Sequence, residues 1–212
     1  MFKQLLKKIY FSFLGKLLSQ TINPLWRYLK APKMLWGYRD ISGEWRVRTR
    51  ISDSVFFNHS ERIRIADEVF IWHYTILDGT GGLEIGRGTH IGAWVGIFTH
   101  SAHQAIRLYG GHYHEVSEDE KVAFEIFPVK IGSYTFVGAG SKILPNVKIG
   151  HGAIISAGSI VSKNVADFQI VAGSPAQVIG DTRKLDALYL RRNPQLQTWY
   201  DEWTAACPQK TE

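Results

Sequence analysis

The sequence predicts an all-β solenoid, with a helical segment before it and helices after it. Two repeats carry this reading. Cut in sixes, residues 131–166 read IGSYTF, VGAGSK, ILPNVK, IGHGAI, ISAGSI and VSKNVA. The first positions are Ile131, Val137, Ile143, Ile149, Ile155 and Val161, and the fifth are Thr135, Ser141, Val147, Ala153, Ser159 and Val165. The first are all β-branched aliphatics, the fifth all small or β-branched. Earlier in the chain the same beat returns every 20 residues, in Ile51, Ile71 and Ile91, in Phe57, Leu77 and Ile97, and in Trp45, Ile65 and Ile85. Twenty is three sixes plus a pair, the extra pairs being Ile63-Arg64 and Leu83-Glu84. Each six is then a short strand and a turn, three make one triangular coil, and stacked coils bury a continuous apolar column. Glycine at second positions (Gly86, Gly92, Gly132, Gly138, Gly150) is expected to relieve the backbone near the bends.

The segment before the solenoid spans residues 1–44. Over residues 2–19 the apolar Phe2, Leu5, Leu6, Ile9, Phe13, Leu14 and Leu17 fall at helical spacing, with Lys3, Lys7, Lys8 and Lys16 largely off that stripe. Lys16 interrupts the apolar stretch and no small-x-small site follows, which argues against a secretory signal. Two readings stay open: a helix packed on its own protein, or one lying on an anionic membrane surface through residues 1–20. The chain's formal charge is +6, but residues 1–50 hold 11 basic and 2 acidic groups, so the remainder is slightly acidic. That distribution does not suit a nucleic-acid binder, which needs its basic surface on the folded body.

Residues 45–180 form the solenoid. Its fifth positions loosen on one side, at Glu61, Gly81 and Ser101, and on that side the period breaks into a polar, His-rich loop, 103–124. A loop this long in a compact repeat is usually functional. Residues 181–212 read as two short helices broken at Asn193-Pro194, expected to cap the solenoid end, with Trp199, Tyr200 and Trp203 used in packing. The composition, 45% hydrophobic and 21% charged, is that of a globular chain. Its single cysteine, Cys207, excludes an internal disulfide framework and fits a reducing, cytoplasmic setting, peripheral to the inner membrane face if the amphipathic segment binds lipid.

Three stretches, ILDGTGGLEIG (76–86), IFTHSAH (97–103) and the run from Val129 through VAGSPAQVI to Ile179, resemble the hexapeptide-repeat acyltransferases, in particular the galactoside/maltose O-acetyltransferase branch and its polysaccharide-associated relatives. The resemblance implies a left-handed parallel β-helix, a homotrimer, and acetyl-CoA held in the groove between neighbouring subunits. Departures are Phe136, where the family often has Trp, Gln177, where it usually has Arg or Lys after Pro-Ala, and the coil before ILD, where it typically carries an Asn and His73 lies in that neighbourhood.

A sugar hydroxyl needs a base near neutrality to attack a thioester, and histidine suits that task. His100 and His103 both follow Thr99 at the loop entrance. The family's spacing from Ile97 favours His103, and the local THS texture keeps His100 in play. Asp78 is expected either to orient the base or to bind an acceptor hydroxyl, the alternative being an Asp that starts a turn. His73 is a second acceptor-side candidate. The family position of the cofactor points to Gly138, Ala139, Ala157, Gly158, Lys163, Pro175 and Arg183, with Lys142, Lys148 and Lys184 as further cations. No metal is expected: no third histidine falls at the spacing of the related γ-type carbonic anhydrases. His59, His90 and His151 are expected to face outward, and His112 and His114 to be solvated in the loop. The function expected is CoA-dependent O-acetyl transfer to a sugar of a surface glycan or its precursor. N-acetylation of an amino-sugar is the alternative, and a noncatalytic membrane-associated scaffold is the rival of another class.

Overall fold

The computed structural model describes residue 4 and residues 12–207, in two compact units, Met1–Lys33 and Met34–Glu212. The first unit contains helix α1 (Phe13–Lys30). Most of the segment 2–11 lies outside the described residues, and the described helix continues well past residue 20.

The second unit opens with strand β1 (Met34–Arg39), inside the stretch expected to belong to the N-terminal segment, paired antiparallel with β2 (Trp45–Ser52). From the end of β2 the chain winds through three parallel sheets. The first holds β2, β5 (Phe70–Ile71), β8 (His90–Ile91), β13 (Phe136–Val137), β16 (Ile154–Ile155) and β18 (Gln169–Gly173). The second holds β3 (Phe56–Asn58), β6 (Ile76–Asp78), β9 (Gly96–Ile97), β14 (Lys142–Ile143) and β17 (Ile160–Val161). The third holds β4 (Ile63–Ile65), β7 (Leu83–Ile85), β12 (Val129–Ile131) and β15 (Lys148–Ile149).

The registers reproduce the repeat. Ile51 pairs with Ile71 and Ile71 with Ile91; Phe57 pairs with Leu77 and Leu77 with Ile97; Ile65 pairs with Ile85 and Ile85 with Ile131. All six first positions and all six fifth positions of 131–166 are buried. The extra pairs also have a use. They lengthen the third sheet's strands so that Ile63, Leu83 and Val129 form a second inward column beside Ile65, Ile85 and Ile131.

Two expectations change. Trp45 does not lie under Ile65: it is exposed and pairs with Arg39 in the β1–β2 hairpin. Among the described residues no strand pairs with the outer edge of β4, and there the Ile65 N–H donates to the buried Asp40 carboxylate at 3.0 Å. The second-position glycines are not bends in the left-handed region. A Cβ on Gly86 would stand 2.6 Å from the Gly132 backbone, and one on Gly92 2.7 Å from Ala139 N, so it is the close stacking of coils that selects glycine. The left-handed corners fall two residues on, at Glu68, Tyr74, Trp94, Tyr134, Asn146 and Phe168 and at a separate set of glycines, Gly88, Gly140, Gly152 and Gly158.

At the C-terminal end the edge of the first sheet is covered by a strand rather than by helices: β19 (Ala176–Asp181) pairs antiparallel with β18. Helices α3 (Thr182–Arg192) and α4 (Gln197–Ala206) follow, broken at Asn193-Pro194. Trp203 of α4 packs sideways on a corner, against Tyr134 and Phe168. Trp199 is 66% exposed and takes no part in that packing.

Candidate active site

The site lies at the corner between the second and third sheets, where the fifth positions are irregular. There β3 ends at Asn58 and β6 at Asp78, in register with each other. One coil on, the chain leaves the solenoid after Thr99. Its exit and return form a short antiparallel ribbon, β10 (His100–Ser101) with β11 (Glu125–Ile126). The loop between is not irregular throughout: it contains α2 (Ala105–Tyr109) and 3-10 turns at Gly110–His114 and Glu118–Glu120.

Asp78 is the hub. It is 2% exposed. Its Oδ1 accepts from Asn58 Nδ2 (2.9 Å), Thr80 Oγ1 (2.6 Å) and Thr80 N (3.1 Å). Its Oδ2 accepts from Thr99 N (2.8 Å) and Thr99 Oγ1 (2.9 Å), and lies 2.7 Å from His100 Nδ1. Burial pushes this carboxyl up, but the hydrogen bonds from Thr80, Thr99 and Asn58 together outweigh it and hold the group well below the usual carboxylate range. An ionised carboxylate only accepts, so His100 Nδ1 must donate to it, which leaves Nε2 as the ring's free lone pair. The His100 side chain is 36% exposed, and the Phe124 ring from the returning loop stands 5.9 Å away.

His103 is placed differently. Its Nδ1 pairs with Ser101 Oγ at 2.8 Å, Glu125 lies 3.9 Å off, and the side chain is 56% exposed. Asp78 bonds both to Thr80 in its own turn and to the His100 ring, and is buried. His73 is not brought to this site. It lies at the corner between the first and second sheets, bonded through Nδ1 to Ser52 Oγ at 2.7 Å. Asn58 is the residue the sequence reading missed. It stands one coil before ILD, in register with Asp78, where the resemblance implies an Asn that the sequence reading looked for near His73.

The cofactor candidates divide. Gly138-Ala139, Ala157-Gly158 and the turn at Pro175 stack at the corner between the first and second sheets, where a Cβ on Gly138 would meet Ala157 N at 2.5 Å. Lys163 follows β17 at the next corner and is exposed. Arg183 is already engaged: its guanidinium pairs with Asp181 at 2.5 Å and stacks on Phe168 at 5.1 Å. Lys142 Nζ donates to the Trp94 carbonyl at 2.7 Å. Among the described residues no group of three His, Cys, Asp or Glu side chains is placed to hold a metal ion.

Comparison with known proteins gives three findings. Residues 128–163 match the family model described as bacterial transferase hexapeptide (six repeats). YJL218W of Saccharomyces cerevisiae, provisionally named an acetyltransferase, is 30% identical over 152 residues, 70% of this chain and 71% of its own. YvoF of Bacillus subtilis, named in the same way, is 46% identical over 56 residues, 26% of this chain and 33% of its own. Among solved structures, the hexapeptide-repeat acetyltransferase VCA0836 of Vibrio cholerae superposes with a TM-score of 0.53 at 23% identity, over 62% of this chain and 69% of that one. VCA0836 has also been solved with acetyl-CoA; that structure superposes with a TM-score of 0.52 at 24% identity, over 60% of this chain and 64% of that one. The likeness to VCA0836 is one of fold.

Proposed function

The chain belongs to the hexapeptide-repeat transferase family, and on that premise we propose that it moves an acetyl group from acetyl-CoA to a sugar hydroxyl, with His100 as general base. The observation that carries the choice of base is the Asp78–His100 contact, 2.7 Å long, with Thr99 bonded to the same Oδ2 and Asn58 and Thr80 to Oδ1. A buried anion that cannot easily be protonated fixes the imidazole tautomer, orients the ring and stabilises the imidazolium that forms. His103, with only a hydroxyl neighbour and a distant glutamate, lacks that support.

His100 Nε2 takes the hydroxyl proton as the oxygen bonds to the thioester carbonyl carbon. The tetrahedral adduct collapses, the C–S bond breaks, and the CoA sulfur leaves with a proton returned from the imidazolium. We take attack as direct: Cys207 is buried at the end of α4, and the Ser101–His103 pair, 2.8 Å apart, has no carboxylate in hydrogen-bond reach of its histidine to activate the serine.

We read the coil as left-handed and the working form as a homotrimer. The family supports the hand of the coil. The outward residues of the first sheet above Arg50 (Phe70, Phe136, Ile154, Ile170, with His90 among them) support an interface, forming a largely apolar face. Within one chain His100 and the small-residue column Gly138, Ala139, Ala157 and Gly158 occupy different corners. A groove between neighbouring chains would bring one copy's base to another copy's column, with Lys163 and the Pro175 turn at its rim.

Acceptor-dependent release of free thiol from acetyl-CoA tests this reading. His100→Ala is expected to lower the rate roughly 10²–10⁴-fold, the usual worth of a positioned base, and His103→Ala less than about tenfold. The reverse order would transfer the role to His103. Unchanged rates in both would end the histidine-base proposal, and release with amino-sugars alone would make the reaction N-acetylation.

A further inference from the structure

The catalytic reading makes no use of α1, whose surface calls for a partner. Along Phe13–Lys30 the residues Leu14, Leu18, Ile22, Leu25 and Leu29 recur at spacings of four, four, three and four, which at 3.6 residues per turn is one stripe. Leu17, Leu18, Ile22, Leu25, Tyr28 and Leu29 are each between 49% and 71% exposed. Lys16 and Arg27 fall on the opposite side of the same helical wheel, and Trp26 and Tyr28 on its flanks. Residues 1–33 carry seven basic residues (Lys3, Lys7, Lys8, Lys16, Arg27, Lys30, Lys33) and no Asp or Glu, leaving the rest of the chain with 18 basic against 19 acidic.

We propose that α1 lies in the plane of an anionic lipid surface, its leucine stripe in the acyl boundary and its basic side toward the headgroups. The charge is what selects this occupant. A second copy of α1 would bring like charges together, and a neutral apolar groove would leave the basic side uncompensated, whereas an anionic leaflet attracts each basic residue near it. Trp and Tyr at the flanks occupy the depth that aromatic rings prefer in a bilayer interface. No helix among the described residues is long and apolar enough to cross a membrane, so the fitting geometry is a helix lying on the surface. The stripe is also longer than the sequence suggested, running on to Leu29 instead of ending near residue 20.

The test is flotation of the full chain with vesicles of phosphatidylcholine alone and of phosphatidylcholine containing one third phosphatidylglycerol. Binding is expected to the anionic vesicles only, and to be lost at high salt. Lys16→Gln with Arg27→Gln is expected to weaken binding roughly fivefold per charge removed, about 1 kcal/mol each. Leu18→Asp with Leu25→Asp should abolish it. Thiol release by each variant in solution reports that the catalytic unit is intact, so a failure here stands apart from a failure of the catalytic reading. Equal binding to both vesicle types, binding unchanged in the variants, or concentration-dependent self-association that the leucine variants abolish would each overturn the proposal.

Discussion

On the third sheet the outward residues, in register from coil to coil, are Arg64, Glu84, Lys130 and Lys148. On the first sheet the same outward column starts at Arg50 and then reads Phe70, His90, Phe136, Ile154 and Ile170, apolar but for His90. Both sheets turn the same kind of residue inward, Ile65, Ile85, Ile131 and Ile149 on one, Ile71, Ile91, Val137 and Ile155 on the other. The inner column satisfies one requirement, filling a narrow tube at crystal-like density, so it cannot vary. The outer column is free of that requirement and records what each face meets. The charged sheet meets water, where Lys130 and Glu84 pair across coils at 3.0 Å with both side chains half exposed. The apolar sheet would meet another copy in the trimer proposed above.

The sharpest way to break this comparison is to give the apolar face the character of the charged one. Phe136→Lys with Ile154→Lys is expected to turn the trimer into monomer by light scattering. Thiol release should fall more than about tenfold, because base and acyl-donor column then never share a groove. Lys130→Gln with Lys148→Gln, on the charged face, should leave mass and activity unchanged. An unchanged mass in the first pair would remove the argument for the trimer.

A change at inward positions should not distinguish the faces. Ile131→Ala on the third sheet and Ile155→Ala on the first each delete a fully packed side chain, and each is expected to cost ~2–5 kcal/mol in denaturant unfolding. A cost confined to one sheet would mean that the tube is not uniformly packed.

The same contrast explains what was legible in the sequence. The inward column was readable because every coil repeats one steric constraint, and the eye needs only Ile or Val at fixed intervals. Trp45 was misassigned because the 20-residue beat runs arithmetically past the point where a coil exists to receive it; the edge of β4 is closed instead by Asp40, a residue outside the repeat. Asn58 was missed because corner side chains obey no apolar period. Its meaning lies in a polar partner one coil away, Asp78, and becomes visible only once the coils are stacked. The loop's exit was located correctly, but the choice between His100 and His103 depends on which ring reaches a buried carboxylate, and that is a matter of ribbon geometry.

The smallest expected effect lies at the corner between the charged and the apolar sheets. There Glu68 receives Arg87 at 2.8 Å and Arg48 at 2.8 Å. The Arg87 hydrogen bond, working against burial and joined by Arg48, lowers the Glu68 carboxyl from 4.5 to about 2. A carboxyl lowered on folding stabilises the protein fully above its unfolded value and loses that contribution as pH falls toward its folded one. The stability difference between the native chain and Glu68→Gln should therefore be constant above about pH 5 and shrink toward zero between pH 4.5 and 2. Its size should stay below about 1 kcal/mol, since both arginines are largely solvated, and fall further in high salt. Urea unfolding of the two proteins across pH measures it. A difference that grew on acidification would mean that Glu68 is not held ionised by its arginines. A change in oligomer mass in Glu68→Gln would move the boundary of the proposed interface from the apolar sheet onto this corner.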